Sequence, residues 1–136
     1  MVQAEVADRL AAPPGSKVYG VPSVKLKWWA DSHIASQISR EVFWPVPRVD
    51  SSLLAFTRRH RSVTDDEALR IRTFAIIDSA FAQRRKMLRS SLGTFLGNSE
   101  SATAYLSAIG IDPTSRAENL TLDQFISIAR GISPAI

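Results

Sequence analysis

Cysteine is absent from the 136-residue chain, which excludes a disulfide framework and any thiolate metal site. Histidine is scarce. His33 and His60 are far apart and have no acidic partners at ligand spacing, so both suit surface or strand-end positions better than a metal centre, and no metal is expected. No apolar run is long enough to span a bilayer, and Met1-Val2-Gln3-Ala4-Glu5 carries neither the basic segment nor the apolar stretch of an export signal. These absences predict a cytoplasmic protein without a membrane partner. Glycine occurs six times, never as a Gly-x-Gly turn after a strand, so no nucleoside or dinucleotide cradle is legible. No serine sits in a Gly-x-Ser-x-Gly elbow, and composition alone supports no catalytic triad.

What is present is enough apolar material for a core. With 45% hydrophobic residues the chain can build one domain or two small units. Seventeen Lys and Arg against thirteen Asp and Glu give a net charge of +4, which suits a polyanionic partner without requiring one.

The character of the sequence changes near Thr64: most of the prolines and all three tryptophans lie before it, and long stretches with helical spacing follow. Glu5 to Ala12 has Val6, Ala7 and Leu10 at helical offsets and is stopped by Pro13-Pro14-Gly15. Val24, Leu26 and Trp28 alternate with Lys25 and Lys27, which predicts a strand with one buried face; a second strand is expected over Leu53 to Thr57. Between them, Phe43-Trp44-Pro45-Val46-Pro47 predicts a stiff extended loop, since its prolines remove ladder donors.

Thr64-Asp65-Asp66-Glu67 reads as a capping box opening a helix with Phe74, Ile77, Phe81, Leu88, Leu92 and Phe95 on one stripe, weakened at its end by Gly93 and Gly97. A second helix carries Tyr105, Leu106 and Ile109 and stops at Gly110. Asp112-Pro113 resembles an N-cap followed by a first-turn proline. A third helix starts at Thr121, with Gln124 completing a capping box and Leu120 placed to staple against Phe125.

Two constellations stand out. Gln83-Arg84-Arg85-Lys86 and Arg89 put four cations within two expected helical turns, either as a solvated face or as a phosphate-contacting one. Arg84 and Arg85 interrupt the apolar stripe, so a guanidinium there must snorkel, pair with a carboxylate or meet a phosphate. The second is Phe43-x-Pro-x-Pro-Arg48-Val49-Asp50-Ser51, whose prolines hold an aromatic ring either against the core or where an extruded base could stack.

At these residues the chain resembles the ribosomal RNA adenine dimethyltransferases. Phe43 through Ser51 is similar to that family's Phe-x-Pro-x-Pro-Lys-Val-Asp-Ser motif, and Met1 to Leu10 and Pro14 to Gly20 resemble the stretch before it. Phe81 to Leu92, and Gly110 to Pro113 with Arg116 to Leu120, resemble its helical C-terminal domain. The four stretches occur in the family's order over nearly the whole chain.

The resemblance implies an α/β fold, the last strands of a Rossmann-like S-adenosylmethionine methyltransferase sheet followed by a small all-α domain, with residues 1–62 in the first part and 63–136 in a helical rRNA-binding domain. It implies dimethylation of two adjacent adenines near the 3′ end of small-subunit rRNA, with the immature small ribosomal subunit as partner and a place in ribosome biogenesis. Phe43 would stack on the target adenine, and Arg48, Arg84, Arg85, Lys86 and Arg89 would meet RNA; Arg48 stands where the family usually has Lys. The family's glycine-rich donor loop and its Asn-Leu-Pro-Tyr type motif do not occur in these residues. S-adenosylmethionine is therefore the expected family donor but not an expected ligand of this fragment, which should be inactive alone and present a bare sheet edge and apolar surface. Two other functions remain open: a noncatalytic RNA-binding module, and a basic globular remnant without a specific partner.

Overall fold

Gly20 and Ser23 show how local signals start an element in this chain: the Ser23 hydroxyl accepts the Gly20 N–H at 3.1 Å, and Pro22 supplies a helical φ at the first turn. The result is a helix at Val21–Leu26, where alternation of Val24, Leu26 and Trp28 predicted a strand. The same residues satisfy both periods, because Val24 and Trp28 are also one helical turn apart. Burial decides between them: Val24 and Trp28 both enter the core, and the Ser23 hydroxyl donates to the Arg9 carbonyl of the preceding helix.

The structure, a computed structural model, describes residues 1–59 and 66–132. Met1–Arg59 and His60–Ile136 form two compact units. The expected boundary at 62/63, His60 and the capping residue expected at Thr64 lie outside the described residues.

In the first unit, β1 (Val2–Gln3) leads into α1 (Ala4–Leu10), then α2 (Val21–Leu26), β2 (Ala30–Ile38) and β3 (Ser51–Arg58). All pairings are antiparallel, in the order β1-β3-β2. β3 meets the strand expected over Leu53 to Thr57, and α1 ends before the Pro13-Pro14-Gly15 stop. β2 was not foreseen. Its polar residues hide the period, and a bulge at Ala35, between the Ile34–Leu54 and Ser36–Leu53 pairs, resets the alternation midway. α1 lies on the sheet, tied by the Ser32 hydroxyl to the Leu10 carbonyl at 3.2 Å, and Ala7, Tyr19, Val24 and Trp28 fill the core. Burial pushes the Tyr19 phenol up to about 12, since a phenolate there would lose its hydration. Leu53 and Phe56 of β3 are exposed.

The second unit holds α3 (Glu67–Ala82), α4 (Leu88–Ser91), α5 (Gly93–Leu96), α6 (Ser99–Ala108) and α7 (Leu122–Arg130). Asp66 caps α3, its carboxylate accepting the Leu69 N–H at 2.9 Å. The single long helix expected through Phe95 is broken after Ala82. An unbroken helix would carry Ser91 about 18 Å along the axis from Ser79. Instead the chain folds back, so that the Ser79 hydroxyl donates to the Ser91 carbonyl at 3.3 Å and Leu88 and Leu92 become fully buried. Hydrophobic burial of two leucines outweighs one uninterrupted ladder.

Other expectations for this unit divide along the same line. α6 ends near Gly110, whose φ of +80° only glycine adopts without strain, and the Thr121–Gln124 capping box is present at α7, with Leu120 and Phe125 both buried. Asp112-Pro113 starts no helix. Its carboxylate takes the Thr114 N–H at 2.9 Å and hydroxyl at 2.7 Å, closing a local turn; these bonds hold the carboxyl below the usual range.

Gly131 follows α7 with an ordinary φ of −85°, so its small size matters through space alone. A Cβ there would collide with the Tyr105 hydroxyl and lie 2.7 Å from its Cζ, while that hydroxyl donates to the Ile128 carbonyl at 2.7 Å. Gly131→Ala should displace the phenol and lower the melting temperature by several degrees, a cost of about 1–3 kcal/mol read by thermal circular dichroism. An unchanged transition would mean that Tyr105 swings aside freely.

Candidate functional site

Ile38 and Ser51 are paired across β2 and β3, so residues 39–50 form the connection between two neighbouring strands. A connection of this length stays in one shape only if its ends are tied. Arg40 ties them. Its N–H donates to Asp50 Oδ1 at 2.9 Å and its Nη1 donates to the Arg48 carbonyl at 3.2 Å. Asp50 holds the base of the loop from the other side, its carbonyl accepting the Ala4 N–H at 2.9 Å. A short 3-10 turn at Arg40–Val42, capped by the Ser39 hydroxyl, delivers the chain to Phe43. The Asp of the motif thus serves the loop's geometry, and Arg40, which sequence reasoning did not select, is the other half of that clasp.

Phe43 is half-buried in extended backbone, while Trp44 is 94% exposed and Arg48 is also exposed. At the foot of the loop lies a cavity of about 400 Å³ lined by Ala4, Gln37, Ile38, Ser39, Asp50 and Ser51; Phe43 stands outside that lining.

The cations of the second unit are arranged differently from a helix face. Gln83 to Lys86 form a turn closed by the Lys86 N–H on the Gln83 carbonyl at 2.9 Å, and only Arg89 is helical, in α4. Arg84 takes the carboxylate option: its Nη2 pairs with Glu118 Oε2 at 3.2 Å, and its guanidinium carbon lies 6.0 Å from the Phe81 ring centroid. Arg85 and Lys86 are exposed and Arg89 is half-exposed. The turn is anchored by Leu88 N–H to the Ser115 carbonyl at 2.8 Å and Arg89 N–H to the Pro113 carbonyl at 3.1 Å. Those bonds bring exposed Arg116 to the same place, across 27 positions of sequence. Arg116 falls within a stretch resembling the family, but its nearness to Arg89 has no local signal in the sequence.

No group of three or more His, Asp or Glu among the described residues could hold a metal ion, and no described helix is long and apolar enough to cross a membrane. The residues described do not fit S-adenosylmethionine either. Its nucleoside and carboxylate call for a strand running into a glycine-rich turn and helix, whereas the described strands are antiparallel and the cavity's single carboxylate, Asp50, already receives the Arg40 N–H.

The chain is 54% identical over 129 residues to a Ribosomal RNA small subunit methyltransferase A from Streptomyces griseus, covering 95% of this chain and 44% of that protein. To a protein of the same name from Leifsonia xyli it is 53% identical, covering 95% and 46%. The chain therefore spans less than half the length of these curated relatives. Among solved structures, a dimethyladenosine transferase from Plasmodium falciparum matches with a TM-score of 0.76 at 17% identity, covering 93% of this chain and 53% of that one. The 23S rRNA methyltransferase ErmE matches with a TM-score of 0.67 at 18% identity, covering 96% and 52%. These two likenesses establish the fold, part of an α/β methyltransferase architecture. The family model described as Ribosomal RNA adenine dimethylase matches residues 1–133, and the chain belongs to that family.

Proposed function

We propose that this chain is the base-stacking and RNA-docking portion of an rRNA adenine N6,N6-dimethyltransferase acting on two adjacent adenines of small-subunit rRNA. The observation that carries the reading is the clasped loop: Arg40 and Asp50 hold in one shape the residues that match the family's aromatic motif. An adenine amine is a weak nucleophile, and methylating it is a problem of orienting an extruded base and excluding water around it. A loop already tied at its base offers that ring without a further ordering cost. Residues 1–62 then close the catalytic domain and residues 63–136 dock the RNA, with Arg48, Arg85, Lys86, Arg89 and Arg116 on phosphates. Arg84 contributes to RNA contact through its place in the turn, and Phe43 stacks on the target base. S-adenosylmethionine is the methyl donor by family, held by the portion of the longer relatives that this chain does not span. The substrate is the immature small ribosomal subunit in the cytoplasm.

A chimera tests this: the unmatched N-terminal portion of the Streptomyces griseus relative followed by this chain. It should methylate small-subunit rRNA. Phe43→Ala in the chimera should slow methylation by roughly 5- to 150-fold, the equivalent of ~1–3 kcal/mol of stacking, with little change in total RNA affinity. A variant that unfolds would show Phe43 to be a packing residue, and one that methylates normally would remove it from the base site.

A further inference from the structure

We infer that Trp44 is a second stacking platform, taking an unpaired RNA base next to the one assigned to Phe43. The inference rests on the RNA-modifying reading above. Phe43 has φ −104° and ψ 149°, and the chain bends through Phe43, Trp44 and Pro45. The exposures of the two rings differ: Phe43 is half-buried, whereas Trp44 is 94% exposed. A ring held partly inside and a ring held in solvent do not reach the same base, so the base on Trp44 is a different nucleotide.

Trp44 is exposed together with Val42, Val46 and Val49, an apolar patch whose burial against a partner would be favourable. Its surroundings identify that contact. Pro45 and Pro47 are exposed and stiffen the chain, and the loop's exposed charges are Arg40, Glu41, Arg48 and Asp50. Asp50 is engaged by the Arg40 N–H and Arg40 by the Arg48 carbonyl. The Arg48 side chain, four residues beyond the ring, supplies a guanidinium suited to the phosphate of a stacked nucleotide. Trp44 also directly follows Phe43, the ring to which the proposal above gives the target base. An RNA base suits an indole face because every base has a π-face, so the contact is tolerant of sequence. Exposed Val42, Val46 and Val49 give the loop an apolar character as well, which a protein partner could use, and the test separates the two.

The 136-residue chain is titrated with a short single-stranded, adenine-rich RNA and with an RNA duplex of equal length. Trp44→Leu keeps an apolar side chain but removes the aromatic face; Trp44→Phe keeps a smaller one. Trp44→Leu is expected to weaken single-strand binding roughly 10-fold or more and to leave duplex binding unchanged, with Trp44→Phe intermediate. Indole emission of the unsubstituted chain should be quenched on single-strand binding, and that quenching should disappear in Trp44→Phe although Trp28 and Trp29 remain. Because Trp44 is exposed, neither variant should shift the melting temperature. Single-strand binding that Trp44→Leu leaves intact overturns this inference. An unsubstituted chain that binds neither RNA overturns the RNA reading beneath it, and the inference with it.

Discussion

Replacing Arg85, Lys86, Arg89 and Arg116 together with glutamine should weaken binding to duplex RNA by on the order of a thousandfold or more at low salt, and flatten its salt dependence by close to one unit of slope per lost contact. Each cation that meets a phosphate releases condensed counterions. Four such contacts, at about 0.9 units each, tighten binding by on the order of 10⁴ when salt falls from about 1 M to about 0.05 M. The variant forfeits that gain. Arg84→Gln provides the contrast, because its guanidinium is paired with Glu118 and stacked by Phe81. Its loss should change the slope less than the loss of Arg85. The pair is partly exposed, so breaking it should cost no more than about 1 kcal/mol of stability. Affinities measured across a salt series decide the matter: equal slopes for Arg84→Gln and Arg85→Gln would mean that the pair opens on RNA, and a quadruple variant with an unchanged slope would remove this surface from RNA binding.

Phe125→Ala should largely unfold the helical unit at physiological temperature. Phe125 is fully buried on α7, which packs on α3, with its ring 6.2 Å from that of Phe81 and tilted by 38°. Truncating such a ring costs about 3–5 kcal/mol in lost transfer energy and cavity formation. A unit of this size has a total stability of roughly 0.05–0.15 kcal/mol per residue, so the loss is comparable with the whole. Far-UV circular dichroism is the appropriate probe. All three tryptophans belong to Met1–Arg59, so their emission reports the other unit. A melting temperature lowered by less than about 5 °C would show that α3 and α7 collapse into the space.

The two sites were legible to different extents. The loop around Phe43 could be read directly, since prolines constrain the backbone wherever they occur, and the match to the family's motif covers contiguous residues. Its clasp could not: Arg40 and Asp50 are ten positions apart, and nothing between them signals that one N–H will meet one carboxylate. The cationic cluster was half legible. Arg85, Lys86 and Arg89 are neighbours in the chain, but their setting in a turn, the diversion of Arg84 to Glu118 and the arrival of Arg116 depend on contacts about 30 residues apart.

By itself the sequence determined the elements whose signals act over one helical turn or one strand: the stop after α1, β3, the end of α6 at Gly110 and the Thr121–Gln124 cap. Those signals are hydrogen bonds and dihedral preferences, and they hold whatever surrounds them. Only the tertiary structure decided that Val24 and Trp28 are buried on one side of a helical turn, that the chain breaks after Ala82, and that Arg116 joins Arg89. In each case the local pattern left the outcome open. Burying Val24, Trp28, Leu88 and Leu92 needs partner surfaces supplied by distant segments, and the free energy of that burial exceeds the local preference it overrides.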